Sequence, residues 1–448
     1  MAAENKMGTM PEGRLIITMS FPIMLSMLVQ ALYNIVDSAF VARISEDALT
    51  AVSLAFPVQL LMIAVATGAG VGVNALLSRR LGEKKQAEAD AVAVNGIFLS
   101  VCFWLIFAVL GLLFGRQFIA LFTDVPAVIE MGTSYVTVVT AASCGVFLLF
   151  VAERLMQATG NTVYHMVTQL IGAVLNCILD PIMIFGLFGF PALGTTGAAL
   201  ATVLSQIIAM SIGFFINVRF NHDVRIRLRG FRPDGRIIGE IVRIGLPAAV
   251  QQSLLSVLTV GLNRILMPFS QTAVGFYGVY YKLQNFLFMP VYGLNNALIP
   301  MIGYNFGAKN RRRIERITRY ALLLSLGIMA AGTLLFELLP VPLLRLFNAS
   351  DAMLAIGVPG IRIISVSFCL AGASVILCGC MQGLGRGKEP LAVALLRQLI
   401  VILPAAVLLS HISLTAVWFA FPLAEAVGLA AAFFLHHRVR RRLLDKLS

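Results

Sequence analysis

Charge is scarce in this chain. Only 12% of its 448 residues are Asp, Glu, Lys or Arg, against roughly 25% in a soluble domain. With 59% hydrophobic residues and a mean hydropathy of +0.90, that scarcity excludes a water-soluble globular protein. Long polar stretches are missing, so no separate soluble domain is expected. Cysteine is limited to Cys102, Cys144, Cys177, Cys369, Cys378 and Cys380, all inside apolar runs, which argues against a disulfide framework. Cys378 and Cys380 are two apart and point to different faces of a helix, which argues against a metal clip. The five histidines (His165, His222, His411, His436 and His437) fall mostly at the ends of apolar runs and form no metal-ligand cluster. No Ser/His/Asp set is discernible. Gly68, Gly70 and Gly72 sit inside an apolar run rather than after a strand, so they read as close helix packing and not as a phosphate loop. These absences leave no basis for an enzyme, an ATP-driven machine or a bound cofactor. Work done by such a chain must draw on an ion gradient, which supplies ~2.3 kcal/mol per charge per 100 mV beyond its chemical term.

What the chain does have is apolar length. Runs of about 20 residues, each enough for one membrane-crossing helix, lie near 15–39, 51–77, 92–115, 133–157, 164–187, 196–217, 241–268, 275–302, 317–339, 358–383, 391–410 and 414–436. The expectation is an all-α integral membrane protein with twelve spans, because barrel strands alternate polarity over about 10 residues and these runs do not. The first run is too long for a signal-peptide core and no small-residue cleavage site closes it, so it reads as a retained helix.

The basic residues give an orientation. Arg43, Arg116 and Arg345 fall on one side of the twelve spans, and Arg264, Lys282, Arg362 and Arg397 fall within them. All the rest of the 34 Lys and Arg lie on the side of the two termini and the even-numbered loops. The positive-inside rule makes both termini cytoplasmic. The net charge of +13 is then mainly a topology signal that can also hold anionic membrane lipids. The basic loops lack interleaved aromatics, so no nucleic-acid partner is expected. A monomer is expected.

The chain repeats itself at an offset of 225. Pro22 meets Pro247, Ser45 meets Ser270, Gly68 meets Gly293, Gly82 meets Gly307, Met156-Gln157 meets Met381-Gln382 and Gly160 meets Gly385. Constant spacing over some 140 residues points to duplication. Six spans per half is an even number, so both halves enter from the same side. That gives two six-helix lobes related by a pseudo-two-fold along the membrane normal, with a cavity expected between them. The domains read as 1–217, a linker 218–240 whose VRIRLRG is either a short strand or solvated, and 241–448.

Asp37 and Asp180 are the outstanding residues. Each lies inside an apolar run of the first half, and the second half has Leu262 and Ala405 at the matching places. A charge in hydrocarbon costs at least ~2.5–3.5 kcal/mol, so both acids are functional candidates. Gln30, Tyr33, Asn34 and Asp37 follow i, i+3, i+4, i+7 and share one helical face. Asn176 and Asp180 share another, and Thr202 lies on the next span. Two carboxylates meeting in low dielectric resist ionising together, so one could take a proton near neutral pH. Their oxygens, with that of Asn176, could equally hold a hard cation such as Na⁺. The third reading is that the acids only tie helices together through Asn34 and Asn176. Pro22 and Pro181 fall mid-span and can kink their helices.

The remaining intramembrane charges belong to the second half. Lys282 or Arg397 could neutralise Glu425, or Glu425 could contact a cationic cargo. Glu153 sits near a span end and should reach the interface. Phe56, Met62, Phe286 and Met289 could line an adaptable cavity, since thioethers and aromatics suit varied apolar cations.

At this point the residues resemble a family. The stretch MGTMPEGRLIITMSFPIMLSMLVQALYNIVDSAFVARISEDALTAVSLAFP (8–57), MQATGNT (156–162), NCILDPIMIFG (176–186), GAALATVLSQ (197–206), YYKLQNF (280–286), GYNFGAKNRRR (303–313) and MQGLGRGKEP (381–390) are similar to those of multidrug and toxic compound extrusion (MATE) transporters. The resemblance covers nearly the whole chain. It implies twelve helices in two lobes and export of small organic, often cationic, compounds against inward H⁺ or Na⁺, by alternating access. It implies that Asp37, Asn176 and Asp180 bind the coupling cation, with Gln30, Tyr33 and Thr202 around them. Another branch carries an acid on the seventh helix, where this chain has Gln251 and Gln252. A flippase for a lipid-linked precursor is the alternative, kept alive by Lys282, Arg264 and Arg397.

Overall fold

The computed structural model describes residues 5–41 and 43–445, apart from the side chains of residues 34, 35, 38 and 39. It is helical, with no strand among the described residues. After a short turn at Lys6–Thr9 come α1 (Glu12–Val41), α2 (Glu46–Gly82), α3 (Gln86–Ala120), α4 (Pro126–Ala141), α5 (Cys144–Ala158), α6 (Thr162–Phe185) and α7 (Gly194–Phe220). The second half holds α8 (Gly235–Leu266), α9 (Gln271–Gly307), α10 (Arg311–Leu338), α11 (Asp351–Ser365), α12 (Phe368–Gly383), α13 (Lys388–Ser410) and α14 (Leu414–Leu443). Among the described residues, ten helices are individually long and apolar enough to cross a membrane. The pairs α4+α5 and α11+α12, bent by 42° and 47°, bring the number to twelve. Residues 221–234 form no strand; Val224 is buried while Arg225, Arg227 and Arg229 face solvent. Pro22 and Pro181 lie inside the continuous helices α1 and α6.

The duplication is built into the backbone. Helices α2 and α9 start and stop 225 residues apart, as do the outer limits of the two bent pairs. Ser45 and Ser270 cap α2 and α9 identically, each accepting a hydrogen bond from the amide three residues on at 3.0 Å. Such caps contribute about 0.5–2 kcal/mol. Lys84 and Lys309 both take left-handed φ, +59° and +57°.

Two compact units emerge: residues 1–6 with 25–249, and residues 7–24 with 250–448. The chain passes between them inside α1 and α8, two residues beyond the repeat-related prolines Pro22 and Pro247, while the whole 218–240 stretch stays in the first unit. The first unit includes the start of α8 because Gly68 and Gly72 let α2 lie backbone to backbone against Gly245 and Ile241. The glycine run is packing, as its place in an apolar helix implies. All six cysteines are free.

Candidate ion site: a carboxylate pair in the first unit

The helix pair α6–α7 carries half of the site. Along α7, Gly197, Ala201, Ser205, Ala209 and Gly213 recur every four residues and are all buried, a small-residue stripe that lets α6 approach closely. At Gly197 the backbones touch: a Cβ there would fall on the carbonyl of Met183. This proximity sets Thr202 opposite Asn176. The Asn176 amide nitrogen lies 3.3 Å from Thr202 Oγ1 and 3.3 Å from Asp180 Oδ1. Asp180 is fully buried, and Asn176 and Thr202 nearly so.

Helix α1 brings the rest. The Asp37 carboxyl meets that of Asp180 within hydrogen-bond reach. The phenols of Tyr33 and Tyr135 lie in the field of both acids, and Tyr135 accepts from Gln59 at 3.0 Å. Gln30 does not reach the acids directly; it accepts from Gln169 of α6 at 3.4 Å. Around the cluster lies an apolar core that includes Val41, Ala55, Ile184 and Ala198. Asp37 Oδ1, Asn176 Oδ1 and Asp180 Oδ2 are buried and accept no hydrogen bond. Three hard oxygen acceptors, two from acids and one from an amide, match what a proton or a small hard cation requires. Among the described residues no group of three or more His, Cys, Asp or Glu could hold a metal.

The structure thus brings together Asp37, Asp180, Asn176, Thr202 and Tyr33, with Gln30 one step away. The Asn34 side chain lies outside the described residues. Tyr135, Gln59 and Gln169 were missed by reading the sequence, although Gln169 continues the Asn176 stripe of α6. The second unit has hydrocarbon at the matching places: Leu262 is fully buried in its core, with Ala405 packed against that core.

The candidate cavity residues fare differently. Met62 does not line a cavity; it is 3% exposed and packed in the core with Phe107 and Phe147, where a long flexible thioether fills the space between α2, α3 and α5. Phe56 and Phe286 expose about half of their surface, and Met289 is half-buried. Glu425 is held by Arg397, whose Nη1 lies 3.0 and 3.1 Å from its two oxygens, so a buried ion pair already answers its charge. Lys282 and Arg264 are exposed, and the cation on Glu425 is Arg397. Glu153 does not reach an interface: it is 5% exposed, because α2, α3, α6 and α7 surround α5.

A family model described as MatE matches residues 22–182 and again 247–408. The chain belongs to the MatE family. Both matches begin at the repeat-related prolines, 225 positions apart. Relatives of this MatE protein include the multidrug export protein MepA of Staphylococcus haemolyticus (strain JCSC1435), 27% identical over 434 residues, covering 96% of this chain and 94% of that one. MepA of Staphylococcus aureus (strain N315) is 27% identical over 427 residues, covering 95% and 93%. A structure described as the outward-facing conformation of a multidrug resistance MATE family transporter of the MOP superfamily matches with a TM-score of 0.92 at 26% identity over 99% of both chains. A MOP superfamily transporter from Pyrococcus furiosus Vc1 (DSM3638), described by a reversed polarity of its binding pocket, matches with a TM-score of 0.91 at 25% identity over 99% of both. Like them, this MatE chain is a multi-pass membrane transporter with the architecture of two six-helix lobes, and it is not an enzyme.

Proposed function

We propose that this MatE transporter is an antiporter that exports organic, often cationic, compounds and is energised by H⁺ or Na⁺ bound at Asp37 and Asp180. The observation that carries the reading is the meeting of two intramembrane acids, with unsatisfied oxygens, in one unit only. Keeping such groups in hydrocarbon is costly, and the repeat partner does without them. The multidrug export described for the MepA relatives supports the cargo class.

The mechanism follows from linkage. An ion entering between the carboxylates removes their mutual repulsion and lets α1 and α6 draw together. Without it the two acids favour separation. Coupling requires only that ion and cargo prefer different arrangements of the helices, so that binding one weakens the other by alternating access. Pro181, directly after Asp180, removes a backbone hydrogen bond where α6 would flex. The basic loops orient both termini to the cytoplasm, and the Staphylococcus source of the MepA relatives supports the inner (plasma) membrane of a bacterium.

The test is dye efflux from vesicles with a proton or a sodium gradient imposed separately, for the wild type and for Asp37→Asn and Asp180→Asn. The expected result is efflux driven by one of the two gradients and lost in both variants. Undiminished gradient-driven efflux in both variants refutes the assignment.

A further inference from the structure

The first unit holds a second ionisable cluster that the carboxylate pair does not use. Glu153, Arg154 and His165 are 5%, 6% and 3% exposed. Glu153 and Arg154 are neighbours on α5, yet the arginine turns elsewhere: its Nη1 donates to Gln157 Oε1 at 2.7 Å. Asn74 of α2 donates to the same oxygen at 3.4 Å. With its oxygen so engaged, the Gln157 amide presents its nitrogen to His165 Nε2 at 3.2 Å. An amide nitrogen only donates, so Nε2 accepts, and a neutral His165 carries its hydrogen on Nδ1. That Nδ1 faces Glu153 Oε2 at 3.7 Å, too far for a hydrogen bond. Glu153 Oε1, Arg154 Nε and His165 Nδ1 all lack a hydrogen-bond partner.

Three ionisable groups that each keep one unsatisfied atom in one buried spot need an explanation. A carboxylate this buried is stable only when paired and hydrogen-bonded. A movement of about 1 Å would bring the Glu153 oxygen onto His165 Nδ1–H at ordinary hydrogen-bond length, and Arg154 Nε–H is likewise unspent. The geometry thus admits two arrangements: the separated one seen here, suiting a neutral carboxyl, and a closed one, suiting an anion.

We propose that Glu153 is a second proton-binding residue of the first unit, exchanging one proton as α5 and α6 open and close on the His165 Nδ1–H. The proton sits on a carboxyl oxygen in the open form and leaves with no other bond made or broken; His165 stays neutral throughout. The titratable and charged groups facing Glu153 are Arg154 on its own helix and His165 from α6. Around them α1 adds the Ser26 hydroxyl, α2 the Asn74 amide and α7 the Asn217 amide, which donates to the Ala152 carbonyl, while α3 packs through Gly96.

Position gives this residue a role, one that rests on the reading under Proposed function. Ser26, Gln30, Tyr33 and Asp37 follow one stripe of α1; His165, Gln169, Asn176 and Asp180 follow one stripe of α6. The stripes touch midway at Gln30–Gln169. The two ionisable clusters thus end one polar seam, about 16 Å apart along α1. The Glu153 end lies toward the basic loops, which makes it the station from which a proton is delivered to the cytoplasm.

Infrared difference spectroscopy of the full-length protein in lipid vesicles, titrated with pH, tests the proposal. A protonated-carboxyl band that disappears as pH rises is expected in the wild type. Part of it should survive in the Asp37→Asn/Asp180→Asn double variant and be lost in Glu153→Gln. Glu153→Asp, which keeps the acid, should retain that part with a shifted midpoint, guarding against a folding defect. A Glu153→Gln spectrum that keeps every wild-type carboxyl component overturns the proposal. So does a double variant with no titrating carboxyl left. A Glu153 component without one from the aspartates would count against the coupling reading alone. In efflux assays Glu153→Gln should bind dye normally but lose the dependence of export on internal pH; a retained dependence removes Glu153 from the transport cycle.

Discussion

Asn176 reaches across from α6 to Thr202 on α7 with the same amide nitrogen that it offers to Asp180. The amide therefore fixes where Asp180 points, and Thr202 fixes the amide. Replacing Thr202 with Val removes one buried hydrogen bond and should cost about 1 kcal/mol of stability, while Asn176 keeps its own contact with Asp180. Asn176→Leu removes an oxygen from the ion site as well as the hydrogen bond to Asp180. Ion-driven efflux should fall about tenfold or more, the equivalent of ~1.4 kcal/mol. Vesicle transport read beside thermal unfolding separates the two effects: Thr202→Val lowers melting first, Asn176→Leu lowers transport first.

The helix contact beneath this site should be intolerant of volume. At Gly197 an added methyl meets the Met183 carbonyl, and backbone cannot rotate away as a side chain can. Gly197→Ala should therefore destabilise by about 1–3 kcal/mol, the usual cost of overpacking. Gly239, whose Cβ would meet nothing within 4 Å, is the control, and Gly239→Ala should be neutral or slightly stabilising. Equal melting temperatures for both variants would show that α6 and α7 are less closely packed than the Gly197–Met183 contact requires.

Arg397 and Glu425 form the matching test in the second unit. Arg397 sits where α13 widens into a π turn, Leu396–Val401, and both side chains are about five-sixths buried. Removing one charge strands the other, at a cost of roughly 3–5 kcal/mol, whereas replacing both by apolar residues of similar size is often neutral. Glu425→Leu alone should lower the melting temperature sharply, and Arg397→Met with Glu425→Leu should restore it. Dye efflux that survives in the double variant marks the pair as structural. Efflux abolished in a protein that melts normally would return Glu425 to the cargo site.

Much of this was legible in the sequence because the bilayer leaves few choices. Spans declare themselves by length, and the offset of 225 carries straight into the helix ends, the Ser45 and Ser270 caps and the left-handed lysines. Asp37 and Asp180 could be paired in advance because each shares a helical face with other polar residues and each lacks a counterpart in the repeat. Burial was harder to read. Glu153 and Met62 have neighbours in sequence that suit an interface and a cavity, but α5 is surrounded and α2 turns Met62 inward; only packing between distant helices decides this. Tyr135 escaped notice for the same reason, since α4 reaches the acids through tertiary contact alone. The passage between units inside α1 and α8 left no mark in composition.

The loop after α2 offers a test of charge by pH. Glu83 accepts from Arg79 Nε and Arg80 Nη1, both at 2.9 Å, and Arg80 also reaches Glu88 at 3.1 Å and Glu240 at 3.2 Å. Burial disfavours the Glu83 anion, but the hydrogen bonds and charges of Arg80 and Arg79 together outweigh it and hold the carboxyl below its ordinary range. A depressed carboxyl binds fewer protons in the folded chain than in the unfolded one, so it stabilises the fold at pH values above the unfolded value of about 4.3. That contribution declines as pH falls from there through the lower folded value. Glu83→Gln should lower the melting temperature at neutral pH, and the gap to the wild type should close in acid. It should also narrow in concentrated salt, because the network is partly open to water. A gap that persists unchanged at pH 3 would mean that Glu83 acts through packing and not through its charge.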